Sequence, residues 1–166
     1  MSQSGITDPS RERDWDDWYF KHLEIMATVP GIASAQRFKT KTAGHSPSLA
    51  MYSVASADVF QDPYYLGVRG MGEWLPLIDR RYYKRNLFDG AKTAPEVGEG
   101  QCLLVADREQ PENDLAGIEW RWLECVAIDR STPYRGIAVT ARDVADRLHR
   151  AGIAVYAPAS SRYVPK

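Results

Sequence analysis

Cysteine, histidine and clustered positive charge are all scarce in this sequence, and each scarcity removes a class of function. There are two cysteines and three histidines in 166 residues. With no Cys-x-x-Cys pair and no His-rich spacing, the chain carries no zinc-binding pattern. Cys102 and Cys125 lie inside apolar stretches and are expected to be reduced, buried and inert. A formal net charge of −1, with no basic cluster beyond the short "RRYYKR" (80–85), gives no footprint for nucleic acid. No apolar run approaches the roughly 18 residues of a transmembrane helix, so no membrane partner is expected. The opening "MSQSGITDPSRERD" lacks an apolar signal-peptide core, which predicts a cytoplasmic location. There is no Gly-rich phosphate loop and no nucleophile elbow. The acidic pairs Asp107-Glu109 and Glu112-Asp114 lack metal-ligand spacing.

What is present suffices for one sizeable core or two small halves sharing one. Asp8-Pro9 reads as a helix start, a capping aspartate followed by proline at the first helical position. That helix is expected over 9–28, ending before Pro30-Gly31. "IASAQRFKT" (32–40) and "SLAMYSVAS" (48–56) read as a hairpin. Residues 56–79, broken by Asp62-Pro63, Gly70, Gly72 and Pro76, read as short helical pieces, and 80–88 as a strand. "DGAKTAPEVGEG" (89–100) has turn composition and no periodicity. It predicts a linker at 93–100 between a first half, 1–92, and a second, 101–166. Strands are expected at 101–109, 119–129, 135–140 and 153–158. A helix between the last two opens at Thr140 with Asp143 in a capping-box position and ends at Gly152. The resulting fold class is α+β: antiparallel sheets with helices on one face.

The first helix holds the leading candidate for chemistry. At 3.6 residues per turn, Trp15, Trp18, Tyr19, His22, Ile25, Met26 and Val29 share a face, with His22 near its centre. An imidazole there needs a hydrogen-bond partner or bears a desolvation cost of roughly 1–3 kcal/mol. Burial also favours its neutral form, which suits a general base, although a satisfied core histidine fits the spacing equally well. Along "EWRWLECVAID", alternation puts Glu124 among Trp120, Trp122, Val126 and Ile128, the one acid on an apolar face. That position fits either a second titrating group or a salt bridge with an arginine such as Arg37. His45, in a Gly/Ser/Pro loop, reads as solvated, and His149, in a last helical turn, as a dipole complement. Tyr52, Tyr64 and Tyr65 are candidate pocket aromatics.

The stretch "WYFKHLEIMATVPGIASAQRF", with Trp18-Tyr19, His22, Pro30-Gly31 and Arg37 in order, resembles the EthD-like branch of the dimeric α/β-barrel superfamily. The resemblance continues through "SPSLAMYSVAS" and "DPYYLGV", over roughly residues 14–90. It implies ferredoxin-like sheets, a hydrophobic pocket between sheet and helices, and small aromatic, lactone or polyketide-like substrates. It also implies acid/base work by His22, with Tyr19 and Arg37 nearby. Two departures stand out. Phe20-Lys21 occupies the place where relatives carry an acid, and the polar "SQSGIT" is a poor first strand. "QCLLVADREQPE" resembles that missing strand better, which implies a second, degenerate ferredoxin-like half and a barrel closed within one chain. A homodimer is expected, with a monomeric pseudo-dimer as the alternative.

The functional expectation is a cofactor-independent enzyme acting by proton transfer on a compact hydrophobic, ring-derived substrate. Lyase, isomerase and cyclase chemistry all fit it. His22 is the base, with Tyr19, Arg37 or Glu124 stabilising the oxyanion, and Trp18, Met26, Tyr52, Tyr64 and Trp122 lining the pocket. A non-catalytic binder on the same fold is the rival, and a haem enzyme with His22 on the iron a third possibility.

Overall fold

A computed structural model describes residues 1–148 and 152–165, so the expectation for His149 lies outside the described residues. The strands are β1 (Ser2–Ser4), β2 (Ile32–Lys39), β3 (Ser48–Val54), β4 (Lys84–Asp89), β5 (Gln101–Arg108), β6 (Arg121–Ile128), β7 (Tyr134–Ala141) and β8 (Ala154–Pro158). They close into one barrel in the order β1-β3-β2-β8-β5-β7-β6-β4, with every pairing antiparallel.

This corrects the expected fold class. Ferredoxin-like halves would each keep a sheet with helices on one face. Here the four strands of each half, β4-β1-β3-β2 and β8-β5-β7-β6, are continuous with those of the other, joined edge to edge by β2 with β8 and β4 with β6 into a single closed wall. Of the α-helices only α1 (Glu12–Met26) is long; α2 (Pro63–Val68) and the described α3 (Arg142–Ala145) are too short to cover a sheet. "SQSGIT" does contain a strand, and β1 joins the barrel by pairing with both β3 and β4. An eight-stranded barrel has an interior just wide enough to be filled by side chains or to hold one small guest.

Alternation sorts the side chains into a lumen and an outer shell. Phe38, Leu49, Met51, Leu103, Val105, Leu123, Ile137 and Tyr156 point inward as one buried cluster. Outside β2 and β3, α1 lays Trp15, Tyr19 and Leu23 over Ala35 and Ala50. Outside β5 and β7, Cys102, Leu104 and Ala138 pack under Trp120 and Trp122. Gly136 is required there: a Cβ on it would lie 2.9 Å from Trp120 Cε3 and 3.0 Å from Trp122 Cη2. Cys102 is buried and Cys125 half-buried, and both are free thiols.

The helix begins as its sequence suggests. Asp8 accepts from the Ser10 amide at 3.0 Å, a 3₁₀ turn runs Pro9–Arg11, and α1 follows. Its apolar face is rotated from the expected one. Trp15, Tyr19, Leu23 and Met26 are buried, while Ile25 is 43% exposed and His22 sits on the rim. At the other end, α3 is capped by Ala141, with no side-chain bond, so the Thr140–Asp143 box does not form.

Residues 93–100, read as a linker, run back into the barrel. Val97 is buried in the lumen cluster. Its amide donates to Gln36 Oε1 at 3.2 Å, and its carbonyl accepts from Gln36 Nε2 at 2.8 Å. The Ala94 amide donates to Ser53 Oγ at 2.9 Å. The segment is a plug closing one end of the barrel. Among the described residues no helix is long and apolar enough to cross a membrane.

Candidate functional site

The brevity of β1 opens the barrel wall. Ser2 faces Ala50 of β3 and Arg85 of β4, and the ladder ends there apart from the Asn86 amide, which donates to the Met1 carbonyl at 3.0 Å. β3 runs on to Val54 and β4 to Asp89, with no strand between them. A cavity of about 120 Å³ occupies this slot. Its inner end is lined by Met51, Phe88, Ala94, Leu123 and Ile137, and its outer end by Met26, Tyr52, Phe60, Tyr65 and Arg85. A second cavity of about 60 Å³ lies beneath α1 and shares Ser2, Met26, Tyr52, Tyr65 and Arg85 with the first. It adds Tyr19, His22, Arg69 and Tyr83 to the wall.

His22 therefore faces the smaller cavity, from the rim of the helix. Its ring stacks on Trp18 with centroids 4.8 Å apart and stands edge-on to Tyr19 at 6.1 Å. Burial pushes its pKa from 6.5 down to about 4, and among the described residues no carboxylate lines that cavity to reverse this. Near pH 7 the imidazole is neutral, a hydrogen-bonding group and a weak base. Burial likewise raises the hydroxyls of Tyr19 and Tyr65, and that of Tyr52 well above its usual value. All three remain protonated donors. The lyase or isomerase chemistry expected of His22 finds no support in this arrangement, which supplies neither an orienting acid nor a strong base.

The sign of the histidine shift gives a measurable consequence. The unfolded chain takes up a proton as pH falls through 6.5, whereas the folded chain does so only near 4. Stability is therefore lost between those values, by roughly 2 kcal/mol once partial solvent contact is allowed for. Urea unfolding at pH 7 and pH 4.5 should show this added loss in the wild type and not in His22→Leu. The variant should be at least as stable as wild type at pH 7, and equal pH slopes would contradict the buried neutral imidazole.

The other expected site residues divide. Tyr19, Met26 and Tyr52 line one or both cavities, and Trp18 buttresses His22 while stacking on Trp15 at 5.1 Å. Arg37 does not reach either cavity. It is fully buried between α1 and β2, where Nη1 meets Asp16 Oδ1 at 2.8 Å and Nε donates to Ser48 Oγ at 3.0 Å. Its guanidinium lies 4.3 Å from the Tyr19 ring. Glu124 is exposed, because β6 turns the opposite residues, Leu123 first among them, into the lumen. Trp122 covers the outside of the barrel and donates to the Glu112 carbonyl at 3.0 Å. Tyr64 is exposed and hydrogen-bonds Thr28 Oγ1 at 2.9 Å, whereas Tyr65 is the pocket residue of that pair. His45 is half-buried rather than fully solvated, and burial lowers its pKa.

Family models, curated proteins and solved structures yield no match to this chain. The resemblance to the EthD-like branch thus rests on the quoted residues alone, and of these Arg37 serves the packing of α1. Gly31 serves the turn, at φ +84 with Val59 Cγ2 only 2.5 Å from where a Cβ would lie. Haem does not fit the site. About 120 Å³ is far below the ~300–1,000 Å³ of pockets that hold drug-sized ligands.

Sequence reasoning missed Arg85, Tyr83, Met51 and Phe88. The signal for the first two was present: Tyr83 and Arg85 are two residues apart, the spacing that puts extended-chain side chains on one side. In the polar run "RRYYKR" the density of charge masks that alternation.

Proposed function

We propose that this protein binds a compact, ring-sized apolar molecule in the slot of its barrel, with His22 and the tyrosine hydroxyls meeting the polar end. The observation that carries the reading is the cavity itself. It lies between β3 and β4 at the edge of the lumen and shares five wall residues with the tyrosine-rich cavity under α1. A dry cavity of about 150 Å³ accommodates benzene. About 120 Å³ lined in part by Met26 and Met51, whose thioethers repack readily, suits a guest of that size. Closed barrels of this strand number commonly hold one small ligand inside. The binding reading is favoured over catalysis because the one histidine at the site is held as a weak base.

Toluene is a suitable first probe. A dissociation constant of about 1 mM or tighter corresponds to −4.1 kcal/mol. Over seven heavy atoms that stays well below the ligand-efficiency ceiling of about 1.5 kcal/mol per atom. Ala94 lines the inner end, so Ala94→Phe should fill it and weaken toluene binding at least tenfold by calorimetry. Unchanged binding in a folded Ala94→Phe protein would place the guest elsewhere and overturn the reading.

A further inference from the structure

The walls of the two cavities are electrically one-sided. Arg85 lines both, Arg69 the outer one and Lys92 the inner one, and among the described residues no aspartate or glutamate lines either. Arg85 makes no ion pair among the described residues. Its Nε is buried without a hydrogen-bond partner, and its guanidinium carbon lies 5.8 Å from the Tyr83 ring. The backbone of Arg85 is well held, its amide donating to Asp129 Oδ2 at 2.7 Å, so the side chain departs from a fixed point on β4. The two fully buried arginines differ in having a counter-ion. Arg37, whose Nη1 and Nη2 also lack a hydrogen bond, is ion-paired with Asp16, and Arg135 has both oxygens of Asp107 at 2.7 and 2.8 Å. A buried guanidinium N–H without an acceptor is costly, and native proteins leave few of them.

Resting on the binding reading above, we infer that the ligand carries an anionic group, a carboxylate in the first instance, which Arg85 receives while the apolar body enters the slot. The geometry divides the labour. The cavity of about 120 Å³ takes a ring, and the adjoining one of about 60 Å³ has room for a carboxylate but not for a second ring. Arg85 stands in the wall that they share. The guanidinium fork matches two carboxylate oxygens, which a lysine at the same place would not. Exposed Arg69 adds positive charge at the mouth, and the hydroxyls of Tyr52 and Tyr65 stand by as neutral donors. The ligand class is a small arylcarboxylate or a comparably compact apolar acid.

Benzoate, its neutral isostere benzamide, and toluene separate the possibilities by calorimetry on the full chain at fixed salt. Benzoate should bind about 10- to 100-fold more tightly than benzamide, the range of a charge-assisted hydrogen bond. Arg85→Gln should remove that preference, and a near-ultraviolet circular dichroism spectrum matching that of the wild type shows that the variant is folded. Arg69→Gln, at the exposed mouth, should have a smaller effect on benzoate. Toluene binding without any preference for benzoate over benzamide would overturn the anionic assignment and leave the cavity reading standing. A benzoate preference that survives Arg85→Gln would also overturn it. If neither benzoate nor toluene binds, both readings fall together.

Discussion

Replacing Asp16 by asparagine should cost this protein about 3 kcal/mol or more of folding stability, although Asp16 is on a helix surface and partly exposed. The reason lies in its partner. The Arg37 guanidinium is fully buried, and Asp16 at 2.8 Å is the carboxylate that balances it. Removing one member of such a pair leaves an uncompensated buried charge, which typically costs about 3–5 kcal/mol. Lys39 sharpens the effect, since its ammonium also binds Asp16, at 2.8 Å, and would then face Arg37 without that shared anion. The pair itself is a weaker source of stability, because desolvation offsets much of its attraction. Arg37→Met in the Asp16→Asn background should therefore restore much of the loss, the methionine packing on Tyr19 and Trp15 where the guanidinium now lies. Urea unfolding of the single and double variants checks this. A loss under about 1 kcal/mol for Asp16→Asn would mean that Arg37 is solvated and not locked beneath the helix.

The second large effect concerns the segment that composition marks as a linker. Val97→Asp should destabilise by about 4 kcal/mol or more, enough to unfold many small proteins. Val97 is only 2% exposed and packs with Phe38, Leu103 and Ile137 inside the barrel, while Gln36 clamps its backbone from both sides. A carboxylate there would lie among apolar side chains, none of which in that cluster carries a charge. In a solvated linker the same substitution would stay within about 0.5 kcal/mol. Thermal unfolding distinguishes the two outcomes directly, with Glu99→Ala, at an exposed position of the same segment, as the near-neutral control.

The strands were readable because their alternation is strong and their ends are punctuated by turns, and β2, β3 and β5 through β8 fall close to where composition puts them. Closure within one chain was expected only from the family resemblance, not from the strands themselves. It depends on β1, three residues of Ser-Gln-Ser with no apolar signal, and on pairings between residues far apart in the chain, such as Phe38 with Pro158 and Asn86 with Ile128. The site suffered from ambiguity of phase. On α1, Trp15, Tyr19 and Met26 continue equally well through His22 or Leu23, and packing against Ala35 and Ala50 chooses Leu23. That choice moves the histidine from the centre of the face to its rim. On β6, both Trp122-Glu124-Val126 and Leu123-Cys125-Ala127 read as buried sets, and the barrel turns Leu123 inward, leaving Glu124 in solvent. Arg85 escaped notice for another reason. A cation on a strand is ordinary in sequence, and only the missing partner of its side chain makes it informative.

The central claim, a barrel with a slot that admits a ring-sized guest, is tested most directly by methyl NMR of the labelled protein during titration with toluene. The account predicts saturable shifts concentrated on the methyls of Met26, Met51, Leu123 and Ile137, which line the cavity from its outer to its inner end. The methyls of Leu104 and Ile153, on the far outside of the barrel, should stay still. No saturable shift, or shifts centred on the outer methyls instead, would contradict it.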